Sequence, residues 1–321
     1  MRSTDRRDAR GEAPPAPVSA TGSAPTTAAT AEHLSRRLTI AAATALVLAA
    51  LIYLVAVHTA LGHRFDNAAL LGSQSQRWSV RVAVMNRLRR ITADSVAAVL
   101  AVVVLIGLLR RRPRLAITAA LAGGLAVVIT DLLRVHLLER HALVASDAVV
   151  AAMNTYPSGH TAATVGSAMA LVLVVGAAWR GLAAVVAGSV GWATAADVQS
   201  AGWHRPSDAV GAALIAFAAA TLGAAVLTRW RPVGTGRRTT LVPGLVALGI
   251  VWVGSAAISA LNAARVLRFL VGHPDAVPPT AAIRADAYQL SVNLTVVVVV
   301  TLLAVLLVLL GRYELDQPAN R

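Results

Sequence analysis

Residues 290–310 read LSVNLTVVVVVTLLAVLLVLL, a predominantly apolar run with no charged side chain. About 20 apolar residues in a helix cross the hydrocarbon core of a bilayer, so this run predicts a transmembrane helix. Seven more runs qualify or nearly qualify: 38–58, 93–110, 114–134, 160–178, 182–199, 207–228 and 241–261. The run at 182–199 is the weakest, because Asp197 stands near its end. The expected fold is therefore all-α, a polytopic transmembrane helical bundle of about eight spans.

Composition points the same way. The chain has 321 residues, 57% apolar and only 14% charged, with a mean hydropathy of +0.67. Soluble domains are typically about 45–50% apolar and about 25% charged. All 29 basic residues are arginine, against 15 acidic ones, and cysteine and lysine are both absent. That excludes disulfides, zinc thiolates, thiol nucleophiles, Schiff-base chemistry and the lysine-containing phosphate loop. The charge of +14 reads as arginine retained at membrane faces, with no nucleic-acid partner.

Residues 1–35 are rich in Ala, Pro, Ser, Thr and Arg and nearly lack large apolar side chains, which predicts a disordered cytoplasmic arm. The run starting at Leu38 is long enough to remain as an uncleaved anchor. With both termini cytoplasmic, seventeen of the 29 arginines fall on the inner side, most densely in Arg110-Arg111-Arg112-Pro113-Arg114. The expected location is the cell membrane, multi-pass. The first outer loop departs from that bias: in RWSVRVAVMNRLRRI, residues 77–91, Val80, Val84, Leu88 and Ile91 share one helical face. Either a basic amphipathic helix on the outer leaflet or a solvated loop helix fits that pattern.

Polar groups at a membrane edge are costly and so mark functional candidates. Three clusters fall on the outer side: Asp131 to His141 after the third span, Tyr156-Pro157-Ser158-Gly159-His160 before the fourth, and Trp203 to Asp208 before the sixth. His204 and Asp208, four apart, share a helical face if the helix has begun by then. A carboxylate there fixes the imidazole tautomer and leaves the other nitrogen free as a nucleophile. A structural His–Asp pair fits the spacing equally well. Ser158 reads as a helix N-cap, and Gly159 lets an anion approach the exposed N–H groups. His160 would then stand beside that anion as a proton donor. Asp131 and Arg134, three apart, are expected to pair with each other.

Pro157-Ser158-Gly159-His160, followed by Gly202-Trp203-His204-Arg205-Pro206-Ser207-Asp208, resembles the type 2 phosphatidic acid phosphatase superfamily over roughly residues 115–228. The resemblance implies a six-helix core within a catalytic domain at 36–230, followed by two additional spans and a tail at 231–321. It implies a metal-independent phosphatase acting on an isoprenoid or glycerolipid phosphate at the outer membrane face, with membrane lipids around it and no cofactor. His204 would carry a phosphohistidine, Asp208 would orient it and His160 would protonate the leaving group. Ser158 and Gly159 would contact phosphoryl oxygens.

The chain departs from that pattern twice. Asp197-Val198 stands where the family has Ser-Arg, and the first motif keeps only Arg140, followed by His141, with Arg134 one position late. Losing one charge-stabilising donor costs about 10²–10³ in rate. Arg134, Arg140 and Arg205 are the arginines expected to supply that charge, and Asp197 is expected to pair with one of them. No metal-ligand cluster and no Asp-x-Asp pattern stands in the chain. Two alternatives stay open: a lipid phosphotransferase on the same fold, and a catalytically silent relative that binds or transports lipid.

Overall fold

Helix starts follow the local chemistry of the chain. Thr92 and Ser95 bond reciprocally across the first turn of a helix over Ala93–Leu109, and Pro113 and Pro206 open helices at a first turn where an N–H is not needed. A computed structural model describes residues 27–144, 154–231, 233–276 and 279–316. Its helices are α1 (Thr27–His58), α2 (Ala60–Ser73), α3 (Trp78–Leu88), α4 (Ala93–Leu109), α5 (Pro113–Leu132), α6 (Gly159–Val174), α7 (Arg180–Ser200), α8 (Pro206–Trp230), α9 (Leu241–Gly272) and α10 (Ala281–Leu310). A π-helical turn, Leu133–Leu137, ends α5. Two two-residue strands, β1 (Gly234–Thr235) and β2 (Tyr313–Glu314), pair antiparallel.

The protein is a helical membrane bundle. Among the described residues, α1, α5, α7, α8, α9 and α10 are long and apolar enough to cross a bilayer. A seventh crossing is formed if α3 and α4, bent by 57°, count as one span. α6 is apolar but shorter, at 16 residues. Large apolar side chains such as Val47, Leu121, Val246 and Ile250 are exposed on the outside, as a lipid-facing surface requires. Trp179 and Trp230 are exposed at one end of the bundle and Trp78 at the other, where aromatic residues meet the bilayer interface.

α8 occupies the centre, packed against α1, α5, α6 and α10. Its sequence, GAALIAFAAATLGAA over 211–225, is mostly small residues, which lets neighbouring backbones approach closely. α1 begins at Thr27, inside the stretch expected to be disordered. The reason is burial: Leu34 and Leu38 enter the core and the Ser35 hydroxyl donates to the Ala225 carbonyl at 2.9 Å. Residues 1–26 lie outside the described part.

Most of the expected outer loop 59–92 is helical. α2 buries His63, Asp66 and Asn67. α3 covers the expected amphipathic segment, but only Val84 and Leu88 enter the core while Val80 is exposed. Its Arg87 forks onto Asp197 at 2.9 and 2.8 Å, so Asp197 is neutralised by α3 and not by Arg134, Arg140 or Arg205.

At the opposite end from the candidate site, arginines meet helix C-termini. Arg180, fully buried, donates to the carbonyls of Val172 (3.1 Å), Leu310 (2.5 Å) and Tyr313. Arg110 donates to Val174 O at 2.5 Å and to Glu314 at 2.7 Å. Residues 311–316 thereby strap α10 across the ends of α4, α5, α6 and α7.

Candidate active site

α7 ends in a left-handed turn that sets the position of His204. Gly202 has φ +73°, a conformation costly for any residue with a Cβ. The N–H of Gly202 bonds to Gln199 O, and those of Trp203 and His204 both bond to Val198 O, at 3.1 and 3.2 Å. This closes the helix with a Schellman pattern and delivers His204 two residues before α8 begins. Val198 is fully buried in the hydrophobic core.

His204 Nδ1 faces Asp208 Oδ2 at 3.3 Å. That oxygen also accepts the backbone N–H of Arg205 at 2.9 Å and the hydroxyl of Thr155 at 2.5 Å. Asp208 is completely buried, and its Oδ1 finds no partner among the described residues. The pairing leaves His204 Nε2 as the nitrogen directed elsewhere. The tyrosine-to-histidine turn is tied to the same helix, with Ser158 N–H donating to the Asp208 carbonyl at 2.9 Å.

Ser158 caps α6 as the sequence predicts, accepting from Thr161 N at 3.4 Å, but it is fully buried and occupied by that role. His160 follows in the first helical turn, its ring 5.5 Å from that of Trp203. Burial, then the charges of Asp208 and Asp66, push the Tyr156 phenol above its ordinary value, so it stays neutral and donates to the Ala49 carbonyl at 2.7 Å.

His160 and His204 line one cavity of about 510 Å³, together with Gly159, Asp131 and Arg134. Apolar residues of α4 and α5, including Val96, Leu100, Val127 and Val128, form the remaining wall. The N-terminal ends of α4 and α6, the C-terminal end of α5 and the turn before α8 meet here. A Cβ at Gly159 would meet nothing within 4 Å, so the glycine leaves open space facing the cavity. Arg134 sits on the π-helical turn, a distortion frequent at functional sites. It pairs with Asp131, the partner the spacing predicts.

The three arginines expected at the phosphate divide. Only Arg134 lines the cavity. Arg140 is buried and donates to Asp66 Oδ2 at 2.8 Å, and Arg205 Nε donates to Asn67 Oδ1 at 3.2 Å. Neither Arg140 nor Arg205 lines this cavity: Asp66 on α2 holds Arg140 through Nη2, and Asn67 on α2 holds Arg205 through Nε. Burial pushes the Asp66 carboxyl up, while the adjacent Arg140 pulls it down. Removing either partner would leave a buried uncompensated charge, at a cost of about 3–5 kcal/mol.

Asp66, Asn67 and Thr155 are site-region residues that the motifs do not contain. One signal was available: His63, Asp66 and Asn67 stand at i, i+3 and i+4, on one face of a helix. Residues 145–153 lie outside the described part.

Fold and cluster together define the class: a polytopic helical membrane protein with two histidines on a half-apolar cavity at one end of the bundle. No protein-family model, curated protein or solved structure matches the chain.

Proposed function

We propose that the protein is a membrane lipid phosphatase, cleaving a phosphomonoester or pyrophosphate of an isoprenoid or glycerolipid through a phosphohistidine. The observation that carries this reading is the shared cavity of His160 and His204, with Asp208 behind His204. The Pro-Ser-Gly-His and His-x3-Asp motifs, which resemble the type 2 phosphatidic acid phosphatases, support the same assignment. The arginine distribution supports an outward-facing site in the cell membrane, with both termini cytoplasmic.

In the first step His204 Nε2 attacks phosphorus while its Nδ1–H is held by Asp208. The phosphorus–alkoxide bond breaks, and protonated His160 gives its proton to the departing oxygen. In the second step neutral His160 takes a proton from water, which attacks the phosphohistidine and releases inorganic phosphate. Arg134 and the N–H groups at the start of α6 stand beside the charge that develops on the phosphoryl oxygens. The apolar wall of α4 and α5 suits a lipid chain.

A second reading, a silent lipid-binding relative, is favoured by buried Val198 and by the commitment of Arg140 and Arg205 to α2. Phosphate release from a panel of lipid phosphates by purified protein separates the two. We expect release that His204→Ala and His160→Ala each reduce at least about 10²-fold. Release insensitive to His204→Ala overturns the mechanism, and binding without release from any lipid supports the silent relative.

A further inference from the structure

α2 and α10 lie outside both motifs, yet the buried contacts around His204 run through them. Asp66 accepts the Ser207 hydroxyl at 2.6 Å and the Ser207 N–H at 3.4 Å, while Asn67 accepts Arg205. The two residues of α2 therefore hold positions 205 and 207, inside the interval between His204 and Asp208. Asp66 also holds Arg140, and Arg205 Nη1 reaches Thr155, which bonds Asp208. Asp66 and Asn67 are 2% and 0% exposed.

α2 is carried by the last two helices. Ala68 and Ala69 pack with Val266 and Leu270 of α9 and with Ala287 and Leu290 of α10 in a small separate core. Gly72 comes so close to α10 that a Cβ there would stand 2.1 Å from the Arg284 carbonyl oxygen. α10 also grips the other flank of the histidine turn. Its Tyr288 hydroxyl bonds Ser200 at 2.7 Å, and its Thr295 accepts Gln199 at 2.9 Å, both in the last turn of α7.

We infer that α9 and α10 form a brace for the catalytic turn, with Asp66 and Asn67 as positioning residues that transmit it to His204 and Asp208. This rests on the phosphatase reading for its catalytic consequence, though not for its structural one. The additional spans then have a function beyond anchoring: they complete the site from outside the motif-bearing region.

Two measurements on the full-length protein in detergent test this. Asp66→Asn, Asn67→Ala and the milder Tyr288→Phe are followed by amide hydrogen exchange, with faster exchange expected in residues 201–208 and none in the middle of α5. On dioleoyl phosphatidic acid, kcat should fall about 10²-fold for Asp66→Asn, and about 10-fold for Tyr288→Phe, with KM unchanged. Asp66→Glu should recover part of the loss. Unchanged exchange at 201–208 in all three variants overturns the brace, as does a loss confined to KM. If the wild-type protein releases no phosphate from any lipid of the panel but exchange rises as described, the brace stands and the phosphatase reading falls.

Discussion

The ring of Tyr156 occupies the space that a side chain at position 211 would need. A Cβ on Gly211 would stand 2.2 Å from the phenolic oxygen and 2.4 Å from Cζ, on a residue whose hydroxyl is already fixed by Ala49. Gly211→Ala should therefore destabilise the protein by about 1–3 kcal/mol, the usual cost of overfilling a packed interior. Gly249→Ala, where a Cβ meets nothing within 4 Å, should be neutral or gain the helix preference of alanine over glycine. Melting temperatures of the two variants in one detergent check the contrast. Equal losses would show that the helix backbone, and not Tyr156, sets the cost.

At the level of single side chains, the Ser158 cap and the His204–Asp208 contact were legible because each is set by local chemistry at a helix start. The fate of the arginines was not legible. Arg134, Arg140 and Arg205 look alike in sequence, and only the acceptors they meet separate them. Asp66 and Ser207 are 141 residues apart, a pairing no local period can announce.

Among the helices, α3 shows how an amphipathic pattern can be half right. Val84 and Leu88 are buried as the period requires, whereas Val80 faces outward and Met85, off the expected stripe, packs partly buried against the core. The Arg87–Asp197 pair has its arginine side chain 58% exposed, so solvent screens most of its attraction. Asp197→Asn should cost no more than about 1 kcal/mol in stability, read from chemical unfolding. A larger loss would mean that α3 docks chiefly through this pair. α2 was missed altogether as a buried element, because its 14 residues are too few to span a membrane and too polar to look like core.

Across the molecule, the two ends of the bundle have different electrostatic solutions. One end holds the histidine cavity. The other gathers Arg110, Arg112 and Arg180 around the 311–316 strap, where Glu314 lies 2.7 Å from Arg110 and 3.3 Å from Arg112. Burial alone would push the Glu314 carboxyl up, but the Ala177 N–H at 2.6 Å and the charges of Arg180 and Arg110 hold it below the ordinary value. A depressed carboxylate contributes stability above its unfolded value, and that contribution is lost as pH falls through the folded value. Glu314→Gln should therefore lower the melting temperature at pH 7. The difference from wild type should shrink as the pH drops below about 4. A difference independent of pH would show that shape and hydrogen bonding, not charge, secure the strap.

Local information was sufficient for the membrane class, for most helices and for the spacing that pairs His204 with Asp208. Apolar run length and i to i+4 geometry act over a few residues, and each run carries its own signal. The assembly of those parts was settled in three dimensions: His160 and His204 on one cavity, Arg140 claimed by Asp66, Asp197 claimed by Arg87, and the last two helices bound to the histidine turn. Each of these depends on which distant groups are desolvated together. A buried charge takes the partner that packing brings to it, and packing involves the whole chain.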